Sequence, residues 1–348
     1  MQFRGPGSQL ALTLGSQIGA IPDHTTHNES LLPVNIGEGY QATIYEQSGS
    51  DSAFKKERLR NSELKTNLLA EYGIHRTIEE AWKLYTQSIP QTHGPVNIGM
   101  ENRDIILRNP LGTCSVARSA DGKVNTDVRV PRLMRYYIKE EAKAAAWKER
   151  PPKDDDSPTA VLEMERIYTL VGLAIQSLAM EFHGPENVVK IMANDSNKHC
   201  LVRPYLGRTR PSAGPFLPDR APMRNFRLYL DDMKKMGIDV EHIAREMGRA
   251  FAVMQWGAGV DGDDVEFVLG ATMHKIEDGS QELVCTTRLW LLDFGQCQSV
   301  DFSDLPDEVY QAFKGVMVTG TNQDFIPSVK NKPLWNLFCG AYEHAARR

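Results

Sequence analysis

Along the chain, stretches where apolar and polar residues alternate give way to stretches where apolar residues recur every three or four positions. This change of period predicts a mixed architecture. Residues 34 to 57 read as a hairpin: Val34 to Gly37, a turn region, Ala42 to Glu46, the Ser48-Gly49-Ser50-Asp51 turn, and a further strand at Ala53-Phe54-Lys55. Helices are predicted at about Ser62 to Tyr72 and Thr77 to Tyr85, and strands near Ile105 to Leu107 and Ser115 to Arg118. A helix from about Leu133 to Lys148 would bury Leu133, Tyr136, Tyr137, Ala144 and Trp147. Ala160 to Ile167 is an apolar strand turning polar. The clearest helix is Glu241 to Trp256, where Ile243, Met247, Ala250, Phe251 and Met254 share one face. An Asp-rich loop, a long hairpin and a C-terminal helical region follow.

At 348 residues the chain suits two lobes with a shared interface, and a hydrophobic content of 41% supplies a core. Pro151 to Pro158, rich in proline and acid, marks a loop ahead of a hinge-like strand. The expected division is a flexible leader over residues 1–30, an N-lobe with an inserted basic helix over 31–165, and a C-lobe over 166–348. The fold class expected is α+β.

No run approaches the roughly 18 apolar residues of a membrane helix, and Leu10 to Leu14 is too short for a signal-peptide core. Five cysteines, widely spaced and with no Cys-x-x-Cys pair, favour a reducing cytoplasm and no structural metal. The expectation is therefore a cytoplasmic protein without a membrane partner.

The net charge of −5 conceals local asymmetry. Arg203, Arg208, Arg210, Arg220, Arg224 and Arg227 face a single acid, Asp219, within one segment. On the predicted helix near 140, Arg135, Lys139 and Lys143 recur every four residues and line one side. Such stripes are either solvated surface or a track for a polyanion such as RNA, whose phosphates suit the guanidinium fork.

Chemistry-bearing residues fall in a telling order. Ile36-Gly37-Glu38-Gly39-Tyr40-Gln41-Ala42 matches a glycine-rich phosphate loop between two strands. Lys55 follows on a strand, and Glu71 on the next helix is placed to pair with it. Trp290-Leu291-Leu292-Asp293-Phe294-Gly295 is a strand that delivers Asp-Phe-Gly, as kinase folds do. Together these predict a bilobal protein-kinase-like fold with a small, mainly β N-lobe and a larger, mainly α C-lobe. The loop Trp256 to Leu269 departs from that pattern: Asp261 stands where a catalytic base would, Glu266 where a metal-binding asparagine would, and the preceding His-Arg is missing. Asp261, Asp263, Asp264, Glu266 and Asp293 would converge on an acidic cleft that calls for a cation, either Mg²⁺ or a guanidinium. The plainer alternative is an Asp-rich loop that caps the next strand.

The segments Leu201 to Arg208, Met254 to Gly270 and Leu289 to Cys297 resemble those of a fungal, distantly kinase-like family of formerly unknown function that includes arginine-containing cyclodipeptide synthases. The resemblance covers roughly residues 160 to 340. It implies an aminoacyltransferase of natural product biosynthesis that joins arginine from arginyl-tRNA to a second aminoacyl-tRNA's amino acid, with no cofactor, metal or DNA. On that reading Asp261, Glu266 and Asp293 are the expected catalytic residues, and Asp263, Asp264, Lys55 and Glu71 bind substrate. Arg135, Lys139, Lys143, Arg203, Arg208, Arg210, Arg224 and Arg227 are the expected tRNA contacts. The alternatives are a phosphotransferase using ATP and Mg, or a non-catalytic pseudokinase module. No Ser-His or Cys-His arrangement stands out, and Cys285 and Cys297 are expected as buried thiols.

Overall fold

Strands drawn from separate parts of the chain build two large sheets and one two-stranded pair, seen in a computed structural model that describes residues 16–18, 33–39, 42–47, 50–60, 63–64, 67–88, 128–142, 159–170, 172–211, 223–275 and 283–348. The strands are β1 (Ser16–Ile18), β2 (Val34–Glu38), β3 (Ala42–Glu46), β4 (Ser52–Glu57), β5 (Leu59–Arg60), β6 (Glu63–Leu64), β7 (Val128–Arg129), β8 (Leu133–Tyr137), β9 (Val161–Glu165), β10 (Val202–Tyr205), β11 (Phe226–Tyr229), β12 (Glu266–Lys275) and β13 (Leu283–Leu292). The helices are α1 (Leu68–Ser88), α2 (Lys139–Ala142), α3 (Gly172–His183), α4 (Val188–Met192), α5 (Leu230–Lys235), α6 (Val240–Ala252), α7 (Pro306–Val318), α8 (Asn322–Phe325) and α9 (Lys332–Ala346). The class is α+β.

The first sheet runs β2-β3-β4-β9-β8, each neighbour antiparallel. Its strand β4 is buried from end to end, including Lys55, Lys56 and Glu57. Because successive side chains point to opposite faces, Tyr45, Phe54 and Val161 cluster on one side, while Leu68, Ala160 and Leu162 cluster on the other with Tyr72 of α1.

The second sheet runs β1-β13-β12-β10-β11, with β7 on β13. Its spine is the antiparallel pair β12–β13, two ten-residue strands in register from Glu266↔Leu292 to Lys275↔Leu283. The main core packs against it, with Phe251, Phe267, Phe294 and Phe338 fully enclosed. Helix α6 starts where the Asp239 side chain accepts the His242 N–H. All five apolar positions named for its face are buried. It packs against α9 so closely that a Cβ on Gly248 would stand 2.3 Å from the Phe338 carbonyl oxygen.

Several expected elements differ. Of the helix expected over 133–148, the described residues, 133–142, form strand β8 followed by the single turn α2, because β8 pairs with β9 along Leu133↔Met164 to Tyr137↔Val161. The two helices placed within 62–85 are one continuous helix, α1, preceded by the small β5–β6 pair. Within the leader, Ser16–Ile18 is strand β1 on the edge of β13. The second half carries four strands of the six-stranded sheet, β10 to β13, as well as most of the described helices, and β1 and β7 join that sheet from the first half. Ile105 to Leu107 and Ser115 to Arg118 lie outside the described residues. No helix among the described residues is long and apolar enough to cross a membrane.

Candidate functional site

The face of the first sheet that carries Ala42, Ile44, Ala53, Lys55 and Met164 looks across a cavity of about 410 Å³ at Leu201, Arg203, Glu266, Val268 and Asp293. Alternation places these residues together: Ala53 and Lys55 are two apart on β4, Ala42 and Ile44 two apart on β3. The β2–β3 turn, through Gly37 and Gly39, adds backbone to the wall. A volume of this size falls within the range of small-molecule sites.

Lys55 reaches Glu71 on α1 at 2.6 Å and Asp293 after β13 at 2.8 Å. Lys55 and Glu71 are buried, whereas the Asp293 side chain is 41% exposed, on the cavity side. Burial works against the charge on Lys55, but the carboxylates of Asp293 and Glu71 outweigh it and raise the lysine above its ordinary range. Glu71 is pushed up by burial against the pull of Lys55.

Glu266 opens β12 and meets Arg203 of the neighbouring β10 at 2.6 Å. Its pKa rises to about 7, through burial first, and through Asp293 and Asp264, with Arg203 opposing. Six carboxylates line the cavity, those of Glu38, Glu71, Glu165, Asp264, Glu266 and Asp293, against two permanent cations, Lys55 and Arg203. No group of three or more His, Cys, Asp or Glu side chains among the described residues is arranged to hold a metal ion.

The non-glycine residues with positive φ among the described residues are Asn225 (51°), Asp264 (55°) and Asp293 (66°), and all three line this cavity. Left-handed backbone is costly for most side chains, and such positions concentrate at functional sites.

The acidic loop divides. Asp264, Glu266 and Asp293 line the cavity; Asp261 and Asp263 do not. The Asp261 carboxylate accepts the N–H of Asp263 at 3.1 Å and of Gln298 at 2.9 Å, so it organises the loop. Asp263 is raised by burial and by its neighbours Asp261 and Asp264. The Thr321 hydroxyl donates to Asp264. Cys297 is a buried free thiol, as Cys200 is.

The expected basic track is dispersed. Arg203 points into the cavity, and Arg224 donates to Asn35 of β2 at 3.1 Å beside the glycine turn. Arg208 pairs with Asp324; Arg210 pairs with Asp232 and lies over the rings of Phe182 and Tyr229. Arg227, Arg135 and Lys139 are exposed, with Arg135 over Tyr137, on a strand instead of a helix face. Lys143 and Arg220 lie outside the described residues.

Two histidines were missed. His75 lines the cavity, its Nε2 2.7 Å from the Pro131 carbonyl and its ring against Phe294; burial lowers its pKa to about 4. One signal pointed to it: His75 lies four residues after Glu71 on the same helix, hence on the same face. His199, also in the wall, is lowered by burial, with Glu46 opposing. Comparison with protein-family models, curated proteins and solved structures gave no match.

Proposed function

We propose that the cavity is the active site of a tRNA-dependent aminoacyltransferase, an arginine-containing cyclodipeptide synthase, built on a kinase-like bilobal fold. The observation that carries this reading is Glu266: a carboxylate raised to about 7, inside a cavity whose other walls are rich in carboxylates. A base is most effective when its pKa lies near the working pH. Glu266 takes a proton from the α-ammonium of one aminoacyl group. The freed amine attacks the ester carbon of the other, and the C–O bond to the ribose breaks. The departing ribose oxygen takes up a proton; the α-amine of the resulting dipeptidyl-tRNA then attacks its own ester carbon, the second C–O bond to ribose breaks, and the ring leaves with a second deacylated tRNA, whose ribose oxygen takes the amine's proton.

Asp264 and Asp293 supply the acceptors for the arginine side chain, while Glu266 is already held by Arg203. Lys55, fixed by Glu71, holds Asp293 in place. The ester is already activated, so no nucleotide is required.

The test is mass spectrometry of small molecules formed from the purified protein and charged tRNAs, including arginyl-tRNA, with and without ribonuclease. A ribonuclease-sensitive cyclic dipeptide containing arginine supports the reading. Its absence, with folded protein, removes it. One observation favours a second reading, ATP-dependent phosphoryl transfer: the 2.6 Å Lys55–Glu71 pair beneath the β2–β3 turn. Stabilisation by ATP with Mg²⁺ would favour that reading instead.

A further inference from the structure

A second surface stands apart from the cavity. Trp256, Phe302, Leu305 and Tyr310 are 42%, 52%, 67% and 53% exposed, and none of them lines the cavity. The Trp256 and Phe302 rings stack in parallel, 6.0 Å apart and 6° from coplanar, over the buried ring of Phe313. Leu305 caps the N-terminus of α7, and Tyr310 lies three residues before Phe313 on that helix, so both border the stacked rings.

The patch is held rigidly. Past α6 the helix widens into a π-turn over Val253–Gly257, with the Ala258 N–H bonded to the Val253 carbonyl. Such turns are rare and concentrate at functional sites. Here the turn presents Trp256 to solvent while keeping Gln255 fully buried beside it. The Trp256 indole donates to the Tyr342 hydroxyl at 2.7 Å, which donates to Gln255 at 2.7 Å. Gln255 in turn donates to the carbonyls of Asp261 and Phe313. Pre-ordered, exposed aromatic side chains are what binding hot spots are made of, because little freedom is left to lose on association.

Charge specifies the occupant. Asp301, Asp304, Asp307 and Glu308 are all exposed on the segment that carries Phe302, Leu305 and Tyr310, and these four acids outnumber Lys314, whose ammonium lies over the Tyr310 ring. A second copy seated on the same face would set these acids against their counterparts, and a polyanion would be repelled.

We propose that this face docks a protein segment in which Lys or Arg residues flank large apolar side chains, the apolar residues covering Trp256 and Phe302 and the cations pairing with the acidic rim. The proposal is independent of the chemistry assigned to the cavity.

The probe is a labelled 16-residue helical peptide of Leu, Phe and Arg, beside a counterpart with Glu at every Arg position. Binding is followed by fluorescence anisotropy, and the footprint by hydrogen exchange. The Arg peptide is expected to bind, to protect residues 253–258 and 300–310, and to weaken with salt. Affinity should fall at least tenfold in the Phe302→Ser/Leu305→Ser variant and several-fold in Asp301→Asn/Asp304→Asn, with all residues changed being exposed ones. Equal binding of the Glu peptide, affinity unchanged in Phe302→Ser/Leu305→Ser, a footprint confined to the acidic cavity, or self-association through this face would each overturn the proposal.

Discussion

Arg203 donates to Glu266 at 2.6 Å from a neighbouring strand of the same sheet, placing a permanent cation on a carboxylate raised to about 7. Burial drives that rise and Arg203 restrains it, so Arg203→Met should raise Glu266 further. If Glu266 is the base, the acid limb of the pH–rate profile moves to higher pH in Arg203→Met and less in Arg203→Lys. Glu266→Gln should lower turnover by about 10²–10⁴-fold. Profiles that coincide for wild type and Arg203→Met would remove Glu266 from the chemistry.

The same raised pKa has a sign in stability. The folded state keeps the Glu266 proton in a range where the unfolded chain has released it, so this residue's contribution is present at low pH. It is lost as pH climbs from the ordinary glutamate range through about 7. Urea denaturation at pH 5 and pH 8 should therefore show Glu266→Gln gaining stability relative to wild type at the higher pH.

Lys55 neutralises two acids at once, so Lys55→Met leaves Glu71 buried and facing Asp293. Breaking a buried ion pair from one side costs about 3–5 kcal/mol. Chemical denaturation should show a loss of that order, and Lys55→Met/Glu71→Met should recover part of it. A double variant no more stable than the single one would mean that Glu71 is neutralised by other means.

Two glycines give opposite expectations. Gly248→Ala brings a methyl group against the Phe338 backbone where α6 meets α9, and should cost about 1–3 kcal/mol. Gly315, on α7, has nothing within 4 Å of an added Cβ, and Gly315→Ala should stabilise by about 0.4–1 kcal/mol. Urea midpoints measured side by side decide both.

Asp261 and Asp264 should separate kinetically. Asp261 accepts two backbone N–H groups that an asparagine carbonyl oxygen also satisfies, so Asp261→Asn should retain most turnover. Asp264→Asn removes charge from the cavity wall and should raise KM for the arginine-bearing substrate about tenfold or more. Equal effects would place both residues in the loop's architecture.

What could be read from the sequence followed from order and period. Lys55, Glu71 and Asp293 were named from their order on strand, helix and turn, and Lys55 reaches both carboxylates within 2.8 Å. The apolar stripe of α6 was legible because one helix face carries it unbroken. Strand β8 was not legible: Tyr136 packs toward Leu162 and Tyr137 toward Phe54, so both faces are covered and the alternation that marks a strand is missing. Arg203 and Glu266 lie far apart in sequence, and nothing local distinguishes the arginine that turns inward from those that pair elsewhere. Among Asp261, Asp263 and Asp264, turn geometry decides which carboxylate reaches the cavity, and composition is blind to it.

The left-handed backbone at Asn225, Asp264 and Asp293 also limits how this cavity can be remodelled. Substitutions there are filtered by chirality before chemistry: Gly, Asn and Asp pass at little cost, whereas β-branched and bulky residues disturb the turn first. A mutational library at these positions would therefore be enriched among its folded members for a narrow alphabet, and a loss of activity from a branched residue would report a displaced main chain. Asp293→Gly and Asp293→Asn avoid that confusion, since each deletes the charge while leaving the turn within reach. The wall nearest the proposed chemistry is thus made from residues that the handedness of the chain helps to choose.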